Sequence, residues 1–140
     1  AHEQTIELLL EYLTSVTGSL QRRSSGWATA RAAIAERYIE AEVSRQLSLR
    51  IASMQAAGLT PSQEASMGKL FSTELGQRIA RTGMQAFGLF AILWLNQPHA
   101  PLQGNFTYLY VRLVPITISG GSSEIQRNII ATRGLGLPRG

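Results

Sequence analysis

Cysteine and aspartate are both missing from this 140-residue chain. Without cysteine there is no disulfide, no thiolate nucleophile and no zinc site built on thiolates. Without aspartate, an Asp-based triad and an Asp-rich calcium loop are excluded within the chain, whose nine acidic residues are all glutamate. His2 and His99 are the only histidines, too few for most transition-metal sites, so no metal is expected. Lys69 is the only lysine, and arginine carries the rest of the thirteen positive charges and the net +4. The arginines are scattered from Arg22 to Arg139, and Arg22-Arg23 is the only adjacent pair. A nucleic-acid binder clusters its basic residues along one face. The basicity therefore reads as compositional bias with no nucleic-acid partner, a basic helical nucleic-acid binder being the weaker alternative. The longest strongly apolar run, Leu89 to Leu95, is far below the roughly 20 residues that span a bilayer. No signal-peptide pattern is visible, and a cytoplasmic location is expected. The chain opens at Ala1 inside a helix-like pattern with no initiator Met, as expected of a fragment or a processed product.

The residues present, 44% hydrophobic and 16% charged, are those of one folded domain. Helical spacing dominates. Ile6, Leu9, Leu10, Leu13 and Val16 predict a first helix over about Glu3 to Val16. Arg22-Arg23-Ser24-Ser25-Gly26 reads as a polar connection. A second helix is predicted from Trp27 to about Ala57, with Ile39, Val43, Leu47, Ile51 and Met54 as its inner stripe and Gly58 beyond its end. Glu36, Arg37, Glu40, Arg45 and Arg50 are placed largely on its wetter side. Thr60-Pro61-Ser62-Gln63 predicts an N-cap, a proline at the first helical position and a capping-box glutamine for the third helix. That helix continues to about Phe87 with Met67, Phe71, Leu75 and Ile79 inward, apolar residues follow to Leu95, and Asn96-Gln97-Pro98 ends it. Residues near Asn105 to Val114 fit either a helix or a strand, and Pro115 limits a helix there. Ser122 or Ser123 caps a last helix carrying Ile125, Ile129 and Ile130, with Gly134 as a possible stop. The fold class expected is all-α: an antiparallel four-helix bundle with an additional short C-terminal helix. Rods of this length expose long sides, so another subunit or domain is expected to cover part of them.

The segment Ile118-Ser119-Gly120-Gly121-Ser122-Ser123-Glu124-Ile125-Gln126-Arg127-Asn128-Ile129-Ile130-Ala131 resembles the C-terminal signature of the acyl-CoA dehydrogenase family. The ending Leu135-Gly136-Leu137-Pro138-Arg139 does so too. Tyr38-Ile39-Glu40-Ala41-Glu42-Val43, Lys69-Leu70-Phe71 and Thr73-Glu74-Leu75-Gly76-Gln77-Arg78 are similar to its middle bundle helices. Met84-Gln85-Ala86-Phe87-Gly88 is similar to its flavin-proximal segment. The resemblance covers most of residues 1–140 and implies that they form the C-terminal bundle alone, without the family's N-terminal helical and central β-domains. It implies a flavoprotein oxidoreductase of lipid metabolism and fatty acid β-oxidation. Such an enzyme binds FAD and oxidises acyl-CoA to trans-2-enoyl-CoA, with electron-transfer flavoprotein as acceptor and a homo- or hetero-tetramer as the assembly. The fragment alone is expected to be inactive.

The resemblance also implies site residues. Many members carry the catalytic glutamate where this chain has Gly120; others carry it early in the first bundle helix, where this chain has His2-Glu3-Gln4. Glu3 is thus the candidate base, although Gln4 replaces the arginine that usually follows. A solvated first-turn glutamate, favoured by the helix dipole, is the plainer reading of the same residue. Gly120 and Gly121 are the candidate substrate-binding turn, since paired glycines before a helix permit positive φ and close backbone approach. An ordinary capped Gly-Gly turn is the alternative. Ser122 and Glu124, and separately Gln85 and Gly88, match cofactor-contacting positions. Glu124 stands where glutamine is common, Leu89 replaces a second glycine, and Thr132 stands where arginine is frequent. The family's Arg-x-x-Phe-Gly segment is not recognisable around Arg22 to Gly26. The competing class of function is a non-catalytic assembly module that completes a partner's FAD site.

Overall fold

The computed structural model describes residues 2–22 and 26–138, the side chains of Leu20 and Gln21 excepted. Arg23 to Ser25 of the polar connection and Arg139 of the ending lie outside the described residues. Among those described, all regular structure is helical. The helices are α1 (His2–Thr14), α2 (Ser19–Arg22), α3 (Trp27–Ala56), α4 (Ser62–Phe87), α5 (Asn105–Arg112) and α6 (Ser123–Ile129). Short 3₁₀ turns occupy Gly88–Ile92, Pro101–Gly104 and Pro115–Thr117, and α6 runs on as a π-turn through Ile130–Gly134. Helices α1, α3, α4 and α5 form the bundle, and α6 is the short C-terminal addition. None of these helices is long and apolar enough to cross a membrane.

Helix α4 is the axis, packing against α1, α3, α5 and α6. It is approachable because one face is small: Ser72, Gly76, Ala80 and Gly83 recur at helical spacing. A methyl group at Gly83 would lie 2.1 Å from the Phe106 ring, so the absent side chain is the seat for that aromatic. Phe106 and Phe87 meet edge to face at 5.5 Å, and Phe87 meets Tyr12 of α1 at 5.6 Å. Ile6, Leu9 and Leu13 of α1 join Ile34, Leu75 and Ile79 in the core.

Helix α1 ends earlier than its apolar pattern. Val16 is 90% exposed, because the Arg22 guanidinium donates to the Leu13 and Ser15 carbonyls and closes the helix there. On α3 the buried positions are Ala30, Ile34, Ala41 and Ser44, with Arg37 half-buried among them. Leu47, Ile51 and Met54 of the expected stripe are only half-buried, while Ile39 and Val43 are exposed. The helix carries two stripes, and the narrow one wins because small side chains let α1 and α4 come close. Arg37 enters because Glu40 neutralises it, and Arg78 of α4 joins the same carboxylate at 3.2 Å. On α4, Leu75 and Ile79 are buried as expected, but Met67 is 41% exposed.

The expected capping box at Thr60 does not form. Pro61 is the N-cap, no side chain caps the helix, and the Thr60 carbonyl instead accepts from the Ser62 amide at 2.9 Å. The helix ends at Phe87, as its pattern predicts, and Gly88 closes it at φ +56, a conformation that suits glycine, ahead of the expected stop at Asn96-Gln97-Pro98. At α6 the cap is Ser122, whose hydroxyl accepts from the Ile125 amide. The region from Asn105 resolves as helix through Arg112, before Pro115.

Gly83→Ala should lower the urea midpoint of this chain. Overpacking against Phe106 costs roughly 1–3 kcal/mol, more than the ~1 kcal/mol that alanine gains over glycine in a helix. Gly26→Ala, with nothing within 4 Å and only a helix cap to weaken, should lower it less. An unchanged or raised midpoint for Gly83→Ala would contradict the packing described.

Candidate functional site

Two features converge on neighbouring turns of α4. The first is the start of α1. His2 Nε2 lies 2.8 Å from Ser72 Oγ, and its ring borders Gly76 at the distance of ordinary contact. Burial pushes the His2 imidazole below its ordinary value, favouring the neutral form. Glu3, the next residue, is turned toward α3, where its carboxylate is 3.6 Å from Arg45 Nε. Arg45 is itself gripped by Glu42 through two bonds of 2.7 and 2.8 Å, and Gln46 donates to the same carboxylate at 2.7 Å. These bonds hold the Glu42 carboxyl at about 2, with Arg45 the largest cause, and Glu42 raises Arg45 in return. His2, Glu3, Ser44, Arg45, Ser48 and Ser72, with Ala41, line a pocket of about 240 Å³.

The second feature is the corner from Thr117 to Ser122. Gly120 and Gly121 take φ of +67° and +94°, which only glycine adopts readily. Nothing lies within 4 Å of a side chain built at Gly120, whereas one at Gly121 would strike Gln126 Nε2 at 2.8 Å. The carbonyl side of the corner faces inward. Lys69 Nζ donates to the Gly121 carbonyl at 2.6 Å and the Thr117 carbonyl at 3.2 Å. The buried Gln126 amide donates to the Gly120 carbonyl at 3.1 Å. Gln77, two turns along α4 from Lys69, reaches Thr117 Oγ1 at 3.3 Å. Ser122 and Glu124 open α6 beside this corner, and the Glu124 carboxyl is lowered, first by the Ser122 hydroxyl.

Lys69 and Ser72 are one helical turn apart, so α1's start and the diglycine corner share a face of α4. Gln85 and Gly88 are elsewhere. They lie at the far end of α4, about 24 Å from Lys69 along the axis at ~1.5 Å per residue. Gln85 is exposed, and beside it Leu89 and Ile92 are 88% and 78% exposed. The sequence reading missed Arg45 and Ser72 as neighbours of Glu3, and Lys69 and Gln126 as holders of the corner. Glu42-Arg45 has the i, i+3 spacing of an ordinary surface pair, which gives no hint of Glu3. Among the described residues no group of three or more His, Cys, Asp or Glu is placed to hold a metal.

Comparison with known proteins agrees with this architecture. The family model described as "Acyl-CoA dehydrogenase, C-terminal domain" matches residues 2–135. Acyl-CoA dehydrogenase FadE26 of Mycobacterium tuberculosis is 36% identical over 110 residues, covering 76% of this chain and 27% of that protein. A chain of the ChsE4-ChsE5 complex from Mycobacterium tuberculosis is 30% identical with a TM-score of 0.82, over 98% of this chain and 35% of that one. The Tcur3481-Tcur3483 steroid ACAD shares the fold, with a TM-score of 0.84 at 24% identity over 97% of this chain and 35% of that one. The chain thus spans about a quarter to a third of the length of these relatives. An all-helical bundle with this C-terminal signature, matched along nearly its whole length, belongs to the acyl-CoA dehydrogenase family as its C-terminal domain.

Proposed function

We propose that residues 1–140 are the C-terminal bundle of a flavin-dependent enzyme that desaturates an acyl-CoA thioester between its α- and β-carbons. The observation that supports this most is that the start of α1, which carries Glu3 beside His2, and a carboxylate-free corner at Gly120 dock one helical turn apart on α4. Desaturation needs one carboxylate within hydrogen-bond reach of the α-proton, and donors toward the thioester oxygen where charge develops. Glu3 is the residue assigned to take the α-proton. Arg45 takes up the role of the cation missing at Gln4: it reaches the Glu3 carboxylate from α3, and Glu42 fixes where it stands. The backbone of Gly120 and Gly121 is assigned to the thioester oxygen.

The corner fits a flat cofactor as well. Gly120 leaves its peptide open with nothing within 4 Å, so a ring system can lie against it. FAD, when bound, supplies the hydride acceptor. Gly120, Gly121 and Ser122 would hold it in the same subunit, while Gln85 and Gly88 are too far along α4 to reach that cofactor and serve a neighbour's. The Glu124 carboxylate is engaged by Ser122, so the backbone would be the cofactor contact at that position. Electron-transfer flavoprotein is the proposed acceptor, as the resemblance to the family implies.

The alternative, an assembly module that completes a partner's site without its own base, is favoured by the exposed Tyr38, Ile39 and Val43 on α3 and Leu89 and Ile92 beyond α4. Both readings place this bundle in a complex of several chains. They differ in whether Glu3 acts.

Glu3→Gln in the full-length parent should slow flavin reduction by acyl-CoA about 10²–10⁴-fold while acyl-CoA still binds. An unchanged rate would leave only the assembly role. The Glu42–Arg45 grip has its own pH signature. The Glu42 carboxyl is lowered from 4.5 to about 2 in the fold, so the stabilisation is complete above pH 4.5 and fades as the pH falls toward 2. Thermal scans of the chain should show Glu42→Gln narrowing its stability deficit across that window. A deficit constant with pH would contradict the assignment.

A further inference from the structure

Lys69 is the only lysine of the chain, half-buried in the third turn of α4. It makes no ion pair with a glutamate among the described residues. Its ammonium is given instead to two backbone carbonyls of the diglycine corner, Gly121 at 2.6 Å and Thr117 at 3.2 Å, some fifty residues away in sequence. This half-buried ammonium is met by carbonyl dipoles rather than by a carboxylate. We propose that Lys69 is a positioning residue for the diglycine corner, turning and polarising its peptides so that their amides face the thioester oxygen.

The argument is one of peptide geometry. A trans peptide sends its carbonyl and its N–H in opposite directions within one plane. Lys69 draws the Gly121 carbonyl inward, so the Ser122 N–H of the same peptide points away from α4. Gln126 of α6 donates to the Gly120 carbonyl at 3.1 Å, so the Gly121 N–H points away from that side chain. The two left-handed glycine conformations make this double orientation possible. Hydrogen bonds in a chain strengthen one another, and a cation on the carbonyl end makes the amide at the other end a better donor. Lys69 therefore acts twice on the Gly121–Ser122 peptide, by fixing the direction of the Ser122 donor and by adding to its strength where charge develops, while Gln126 orients the Gly121 donor beside it. It does not touch the substrate. Gln77 steadies the same segment through Thr117 without carrying charge.

The inference rests on the desaturase reading, and the test separates the two. In the full-length, FAD-loaded parent, Lys69→Met and Lys69→Arg are compared with wild type. The probe is an acyl-CoA whose β-carbon is replaced by sulfur, which binds and is not desaturated. Its isotope-labelled thioester carbonyl stretch reports the polarisation imposed by the corner. The expected result is that Lys69→Met loses at least half of the downshift seen in wild type. Flavin reduction by a true substrate then falls about 10- to 100-fold, less than for removal of an oxyanion donor itself. KM changes less than threefold, and Lys69→Arg recovers most of both signals. A stretch and a rate unchanged in Lys69→Met, or losses confined to FAD content and solubility, would overturn the proposal. If Lys69→Met gives no soluble protein, Lys69→Gln takes its place and is read by the same outcomes. If Glu3→Gln leaves flavin reduction intact, the desaturase reading itself has failed. A null result for Lys69 in an enzyme that Glu3→Gln inactivates overturns the lysine's role alone.

Discussion

Close approach to the backbone of α4 is the constraint on which the rest of the molecule depends. Gly83 admits the Phe106 ring, Gly76 admits His2 and Leu113, and Ala80 is fully buried between them. A bulky residue at any of these would push α1 or α5 outward, and with them the two features that meet on this helix. The same principle explains α3, where alanine and serine are buried and isoleucine and valine are not. Within one chain, distance of approach matters more here than the apolar area of individual side chains.

Electrostatics follow from that geometry. The chain has few carboxylates, and most are engaged by arginine: Glu40 with Arg37 and Arg78, Glu74 with Arg78 and Arg127, Glu42 with Arg45. Arg45 is shared, bonded to Glu42 and facing Glu3 at longer range. Glu42 is the one that keeps Arg45 in place, and Glu3 is left less encumbered. Lysine is reserved for backbone carbonyls. The distribution keeps arginine's planar fork for carboxylates and the compact ammonium for a turn.

Much of the fold was legible in the sequence. The extents of α3 and α4 followed from period, and the end of α3 from Gly58, because helical register and a left-handed stop are local properties. The burial of α3 was not legible. It carries two stripes, and the choice between them depends on partners that lie tens of residues away. The Thr60 box failed for a related reason: its residue types fit, but the chain around Pro61 takes another course. For the site, the diglycine corner was visible because positive φ leaves a signature in residue type. Arg45 and Lys69 were not, since neither bears a local mark of what it touches.

The central claim is that a carboxylate on α1 serves a corner that carries none. It is tested most directly by the structure of the intact parent assembly with acyl-CoA bound. The account predicts a Glu3 carboxylate oxygen roughly 3–3.5 Å from the thioester α-carbon, with the thioester oxygen on the amides of the corner. A Glu3 side chain directed into bulk water, with another group on the α-carbon or none, would contradict it.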